Sequence, residues 1–333
     1  MTTLESTIDT LAEAGGFAGV VRVDGPGGVV LERAYGLADR AHRIPMTTST
    51  QLAVASGSKG FTALAVMSLV QDGTLTLGTT ARSVLGADLP LIADDVTVEQ
   101  LLAHRSGIGE YLDDDADLSD YAMAVPVQHL ATTEQFLAVL DGFPTAFPAG
   151  ERFAYCNGGF VVLALVAERA SGVAFHDLVR RRVLAPAAMS ETDYLRSDDL
   201  PGRAALGYVE IDGAWRTNVF HLPVVGNGDG GAYTTVADMH RFWAALLGGR
   251  IVSPATLATM TEPRSDVPEE LARYGLGLWL AQQGDGLALE GCDAGVSFRS
   301  VHVPSEGLTW TVVSTTGSGA WPVARALTEH LGH

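Results

Sequence analysis

The chain has 333 residues, of which 47 % are hydrophobic and 18 % charged, a composition that supports a large packed core and excludes a disordered or fibrous polymer. Acidic residues outnumber basic ones 39 to 21, leaving a formal charge of −18, the wrong sign for displacing counterions from nucleic acid or for binding an anionic membrane surface. Two cysteines, Cys156 and Cys292, are too few for a disulfide framework in a chain this long and read as small buried apolar residues.

In chain order, Leu4, Ile8 and Leu11 mark one face of a short amphipathic helix. The same segment lacks the basic start and apolar run of a secretory signal, so the sequence predicts a cytoplasmic protein. FAGVVRVD and GVVLERAY alternate around Asp24-Gly25-Pro26-Gly27, a hairpin signal. From Ser56 to Gly73 the apolar positions Phe61, Leu64, Ala65, Leu69 and Val70 recur at helical spacing. The middle third, with VTVEQLLAH and GGFVVLALVAERASG, reads as mostly helical, interrupted by a hairpin at Asp212-Gly213. Thr235 and Asp238 have the spacing of a capping box that opens the helix DMHRFWAALLGG. Strands are predicted at YGLGLWL, GLALE, FRSVHV and TWTVVS, and a final amphipathic helix at Val323, Leu327 and Leu331. Strands at both ends with helices between predict an α/β chain of the α+β type. Residues 1–78 and 231–333 would form one antiparallel sheet flanked by terminal helices, and 79–230 a mostly helical inserted domain.

Of the 21 basic residues, 20 are arginine and one is lysine, Lys59. Codon bias accounts for the arginines but not for the exception. A salt bridge accepts arginine, whereas a proton relay does not, because guanidinium stays protonated in proteins. Ser56 precedes Lys59 by three residues, a spacing that puts both on one helix face about 5–6 Å apart at Cβ. A serine attacks carbonyl carbon only when a neighbouring base takes its proton, and a desolvated lysine is such a base. S-x-x-K alone occurs by chance about once in a chain of this size, and Ser56 alone reads as a helix N-cap; the sole lysine in that slot argues otherwise. Further on, Tyr155 and Asn157 flank Cys156 before a strongly apolar helix. A tyrosine beside a cation relays protons, and an amide orients an acyl group; without Lys59 the pair would read as a core tyrosine and an asparagine N-cap.

Together these residues resemble the serine β-lactamase-like family, which includes class C β-lactamases, penicillin-binding DD-peptidases, D-aminopeptidases and related esterases. VTVEQLLAHRSGIGEY, FPAGERFAYCNGG, the stretch from Pro186 to Thr192, and GGAYTTVADMHRFW follow the family's order, so the resemblance covers nearly the whole chain. It implies Ser56 as acylated nucleophile, Lys59 as its base and Tyr155 as proton relay with Asn157 beside it, with Lys59 and Tyr155 acting as one coupled pair. The third family motif, Lys-Thr-Gly or His-x-Gly, is degenerate: Asp293-Ala294-Gly295 is the nearest match, while a register without a gap from Phe298 lies two residues away. On the first register Asp293 and Gly295 contact substrate, and the amides of Ser56 and Val296 form the oxyanion hole. A carboxylate at Asp293 would repel a substrate carboxylate, which points to neutral or cationic esters and amides.

His104 invites a Ser-His reading, but no motif-matched acid accompanies it, and the resemblance makes it a structural residue at a helix end. Gly226-x-Gly228-x-x-Gly231 lacks the strand and downstream acid of a dinucleotide fingerprint and reads as a glycine-rich turn. Asp113, Asp115 and Asp117 imitate a calcium loop, yet Leu118 and Ala124 stand where that loop needs glycine and glutamate. The expectation is therefore a serine hydrolase of a small ester, amide or short peptide, acting through an acyl-enzyme with no metal or organic cofactor, no nucleic-acid partner and no membrane. β-Lactamase, D-Ala-D-Ala carboxypeptidase or D-aminopeptidase activity is the alternative within the same chemistry. A non-catalytic binding or assembly protein is the alternative of another class.

Overall fold

A computed structural model describes residues 4–112 and 123–332; the acidic segment at Asp113, Asp115 and Asp117 lies outside them. One antiparallel sheet of eight strands organises the fold. The strands are β1 (Gly19–Gly25), β2 (Gly28–Tyr35), β3 (Ser265–Val267), β4 (Ala272–Tyr274), β5 (Trp279–Ala281), β6 (Leu287–Asp293), β7 (Val296–Val303) and β8 (Leu308–Ser314). Their order across the sheet is β2-β1-β8-β7-β6-β5-β4-β3. The N-terminal hairpin therefore joins the last strand directly, with Val21 opposite Val312 and Val20 opposite Val313, and the sheet predicted from the two ends of the chain is a single object.

Alternation along these strands sorts the core into two layers. Val21, Val23, Trp310 and Val312 face the terminal helices α1 (Leu4–Gly15) and α5 (Ala320–Leu331), which contribute Ile8, Val323 and Leu327. Val20, Leu289, Phe298 and Val313 face the other way, against a larger cluster built on α2 (Lys59–Gln71), α3 (Asn157–Ser171) and α4 (Val236–Leu247). Helices on both faces explain why all seven residues of β8 are buried. Helix α2 departs from a one-faced pattern: every residue from Lys59 to Leu69 is buried, because the sheet covers one side and α3 another.

Two local expectations change. YGLGLWL is not one strand but a tight reversal from β4 to β5, with Tyr274 paired to Trp279. Gly277 turns there with φ +78°, and a Cβ on it would lie 2.1 Å from that of Ala63, so the reversal presses directly on α2. The capping box at α4 is only half present. Thr235 accepts from the Asp238 amide at 3.1 Å, but the Asp238 carboxylate turns inward, accepting from the Glu191 amide at 2.9 Å and the Thr192 hydroxyl at 2.8 Å and pairing with Arg241. The Asp212-Gly213 hairpin forms as predicted, both residues having positive φ.

The fully buried Asp238 carboxylate thus ties α4 to the chain entering it from the helical middle. Asp238→Ala would strand those donors, and a loss of about 2–4 kcal/mol is expected in urea unfolding. A change below about 0.5 kcal/mol would show that the network carries no net stability.

Candidate active site

Ser56 sits not on α2 but on the 3-10 turn Ala55–Ser58 that leads into it. Ala55 is held at φ +45°, a left-handed conformation that costs a non-glycine residue about 1–3 kcal/mol and here bends the chain sharply before the serine. Ser58 fixes the bend: its hydroxyl donates to the Ala55 carbonyl at 2.8 Å and accepts from the Ala232 amide at 3.0 Å. Ser56 is consequently no N-cap; its half-buried hydroxyl lines a cavity of about 610 Å³.

Lys59 opens α2 and is 2 % exposed. Its Nζ donates to Ser56 Oγ at 2.9 Å, to Asn157 Oδ1 at 2.7 Å and to the Asp229 main-chain carbonyl at 2.7 Å. An ammonium has three N–H groups, and each has an acceptor, which is what makes its burial tolerable. The Nζ also lies 4.9 Å from the centre of the Tyr155 ring and 5.7 Å from that of Phe160. Tyr155 in turn packs on His104 at 4.2 Å between ring centres, tilted by 31°, and runs nearly parallel to Trp279 at 6.4 Å.

Asn157 is the first residue of α3 rather than its cap. Cys156 occupies the cap position without a side-chain cap bond, and the Asn157 side-chain amide accepts from Lys59. His104 takes the structural part expected of it, just beyond the helix Val98–Leu102, with φ +53°. Its Nδ1 accepts from the Cys156 amide at 3.0 Å, and complete burial, with the Lys59 charge adding to it, pushes the imidazole well below its ordinary value and keeps it neutral. The glycine-rich segment is a tight turn, closed by the Asn227 amide donating to the Gly230 carbonyl at 2.9 Å. A Cβ at Gly228 would lie 2.1 Å from the Phe160 carbonyl, so only glycine lets this turn press on α3 and present the Asp229 carbonyl to Lys59.

The third segment divides. Asp293 and Ala294 line the cavity with Ser56, Tyr155 and Asn157, whereas Gly295 and Val296 do not. Asp293 pairs with Val296 across a two-residue turn, and Gly295, at φ +71°, packs on Gly207, Tyr208 and Asn218 instead. The strand residue against the Ser56 turn is Gly291, whose Cβ would lie 2.3 Å from the Val54 carbonyl and 2.7 Å from the Ser56 amide nitrogen. The residue that meets the Ser56 turn is thus Gly291, four positions before Gly295, while Val296 follows the turn and pairs with Asp293. Among the described residues no strand pairs with the β5 edge of β6 beyond Ala288, where the β5 pairing ends at Trp279–Ala288, and Glu290, Gly291, Cys292 and Asp293 line the cavity there. Cys156 is buried as expected, but Cys292 is exposed on this edge.

Glu110, Tyr111 and Asp229 were not singled out by their sequence pattern. Glu110 and Tyr111 fall inside the segment SGIGEY, where a lone acid after glycines has no periodic signal, and Asp229 meets Lys59 through its main chain, which no side-chain pattern reveals. The cavity is also acidic: Asp229, Glu269, Glu270, Glu290 and Asp293 line it, against one guanidinium, Arg152. Burial raises the Glu290 carboxyl even though Arg299, 3.0 Å away, opposes the shift.

A family model described as Beta-lactamase matches residues 4–331. Among curated proteins, a penicillin-binding protein of Bacillus subtilis is 28 % identical over 84 % of this chain and 63 % of its own length. A D-aminopeptidase of Cereibacter sphaeroides is 28 % identical over 96 % of this chain and 60 % of its own. The chain thus spans under two thirds of the length of these relatives. Among solved structures, a penicillin binding protein from Bacillus halodurans superposes with a TM-score of 0.91 at 35 % identity, covering 97 % of this chain and 99 % of that one. With a sheet joined through its two ends, a serine and a lysine meeting over one turn, and a family model that spans nearly every residue, the chain belongs to the Beta-lactamase family.

Proposed function

We propose that the chain is a serine hydrolase that cleaves a small ester or amide through an acyl-enzyme on Ser56. The observation that carries this reading is the contact of the only lysine with Ser56 Oγ at 2.9 Å. Ser56 Oγ attacks the substrate carbonyl carbon while its proton passes to the Lys59–Tyr155 pair. The developing oxyanion is met by the Ser56 amide and a main-chain amide of the Gly291–Asp293 edge. The pair returns the proton to the leaving alcohol or amine, and a water, deprotonated by the same pair, then releases the acyl group and restores Ser56. Asn157 orients Lys59 from the opposite side. Nothing in these steps calls for a metal or organic cofactor.

The acidic lining selects among substrates. With Glu290 paired to Arg299, the other lining carboxylates, Asp229, Glu269, Glu270 and Asp293, still outnumber Arg152 and disfavour a ligand carboxylate while favouring a neutral or positively charged one. The D-aminopeptidase relatives, by their name, act on a substrate with an amino end, in keeping with this charge. A binding protein without turnover is the other class of reading, and the buried lysine counts against it: three acceptors converge on an amine in a chain whose other basic residues are all arginine.

Hydrolysis of a short-chain p-nitrophenyl ester is expected from the wild type and should vanish in Ser56→Ala. Equal, negligible rates in both would sink the proposal. Lys59→Arg keeps the charge and removes the base, and kcat is expected to fall by about 10²–10⁴-fold while circular dichroism stays unchanged; full activity would show that Lys59 moves no proton.

A matched series of amino-acid p-nitroanilides, with the amino group free, acetylated or succinylated, tests the charge argument. The free amine is expected to give the highest kcat/KM and the succinylated form the lowest, with the spread narrowing in high salt. Stable acylation of Ser56 by benzylpenicillin, seen by intact mass, would contradict it.

A further inference from the structure

We propose that the dipeptide Glu110-Tyr111 is the positioning element of Lys59, setting two of its three acceptors from one short stretch of loop. The inference rests on the hydrolase reading for its chemical purpose, but the arrangement itself is geometric. The half-buried Glu110 carboxylate accepts from the Asn157 amide, from the Gly158 amide at 3.1 Å, and from the Tyr111 and Leu112 amides at 2.8 and 3.1 Å. Two of these donors are the first amides of the 15-residue helix α3, whose own cap residue offers no side-chain acceptor. Glu110 therefore does from another segment what an N-cap residue normally does locally, and its charge sits at the positive end of the helix dipole. What it fixes is Asn157, and Asn157 Oδ1 lies 2.7 Å from Lys59 Nζ.

Tyr111 acts on the second acceptor. Its hydroxyl donates to Asp229 Oδ2 at 2.5 Å, and the main-chain carbonyl of that same Asp229 accepts from Nζ at 2.7 Å. The third acceptor, Ser56, is the nucleophile. Glu110 and Tyr111 thus leave Lys59 one bond to change during reaction and hold the other two still.

Burial keeps His104 and the thiol of Cys156 neutral and raises the Tyr111 phenol well above its usual value. The Tyr155 ring faces Nζ, and the carboxylates of Glu110, Asp229 and Asp293 supply the negative charge on this side of the cavity. Glu110→Gln removes one of those charges and puts a donor where amides point. Tyr111→Phe removes the hydroxyl that donates to Asp229 Oδ2 and leaves that carboxylate less neutralised.

A chain with one lysine allows a direct reading. Labelling with lysine enriched in carbon-13 at Cε gives a single side-chain resonance whose titration is that of Lys59. Glu110→Gln is expected to move its midpoint down by about half a unit or more, and Tyr111→Phe to move it up. Opposite directions are the signature of positioning by charge and contact, because simple loosening would carry both variants towards the same solvated value. Tyr111→Phe is also expected to lower kcat about tenfold with KM little changed and the melting temperature within a few degrees of wild type. Should Glu110→Gln fail to fold, Tyr111→Phe decides alone. An unchanged midpoint in the folded variants, or shifts of the same sign in both, overturns the proposal even where ester hydrolysis proceeds. Opposite shifts uphold it even where the wild type hydrolyses no ester, so the two proposals fail separately.

Discussion

A single buried charge organises the centre of this molecule. Lys59 is closed off from solvent, and an ammonium in that position costs several kcal/mol unless every N–H finds an acceptor. The three acceptors come from three parts of the chain: Ser56 from the turn before α2, Asn157 from the start of α3, and Asp229 from the glycine-rich turn near residue 230. Satisfying the charge therefore forces the helical middle of the chain and the sheet-forming ends to meet at one point, and that point is the cavity. Stability and chemistry make the same demand, since the bond that completes the shell of the ammonium is also the one that joins it to the serine.

Close backbone approach is the second requirement. The Ser56 turn lies against β6 at Gly291 and the Asp229 turn lies against α3 at Gly228, in both places with room for hydrogen but not for Cβ. These contacts bring main-chain amides and carbonyls, rather than side chains, to the serine and lysine. Such groups are held by secondary structure and need little reorganisation as charge develops on a substrate oxygen. The left-handed Ala55 belongs to the same economy of space: it tilts Ser56 out of the helix and into the cavity while Ser58 holds the turn closed.

Much of this is legible in the sequence. Strand alternation at the two ends of the chain implied one sheet, and the register of Val21 opposite Val312 shows it. The excess of arginine over lysine pointed to Lys59 without reference to its surroundings, and the spacing to Ser56 gave its partner. What stayed hidden has physical reasons. Near Asp293 either a two-residue turn or a continued strand could follow, and Gly295 fits either in sequence; its packing on Gly207 and Tyr208 exists only in the folded chain. Asp238 resembles a capping acid because spacing alone cannot show that its carboxylate has better donors in Glu191 and Thr192. Glu110 escaped because it caps a helix that begins 47 residues later, a relation that exists only in the folded chain.

The geometry also sharpens the reason for a lysine at position 59. Three acceptors at 2.7, 2.7 and 2.9 Å converge on one atom, which suits the tetrahedral donors of an amine. A guanidinium is planar and spreads five donors over three nitrogens, so it could not present three of them from a single centre, and its bulk would press on the Tyr155 and Phe160 rings. Shape and proton chemistry thus both exclude arginine, in a chain that uses arginine everywhere else. Because the two reasons coincide, loss of activity on replacing Lys59 by arginine cannot by itself tell misplacement from a missing base. The protonation of Lys59 in an otherwise intact shell can, and a chain with one lysine is unusually suited to reporting it.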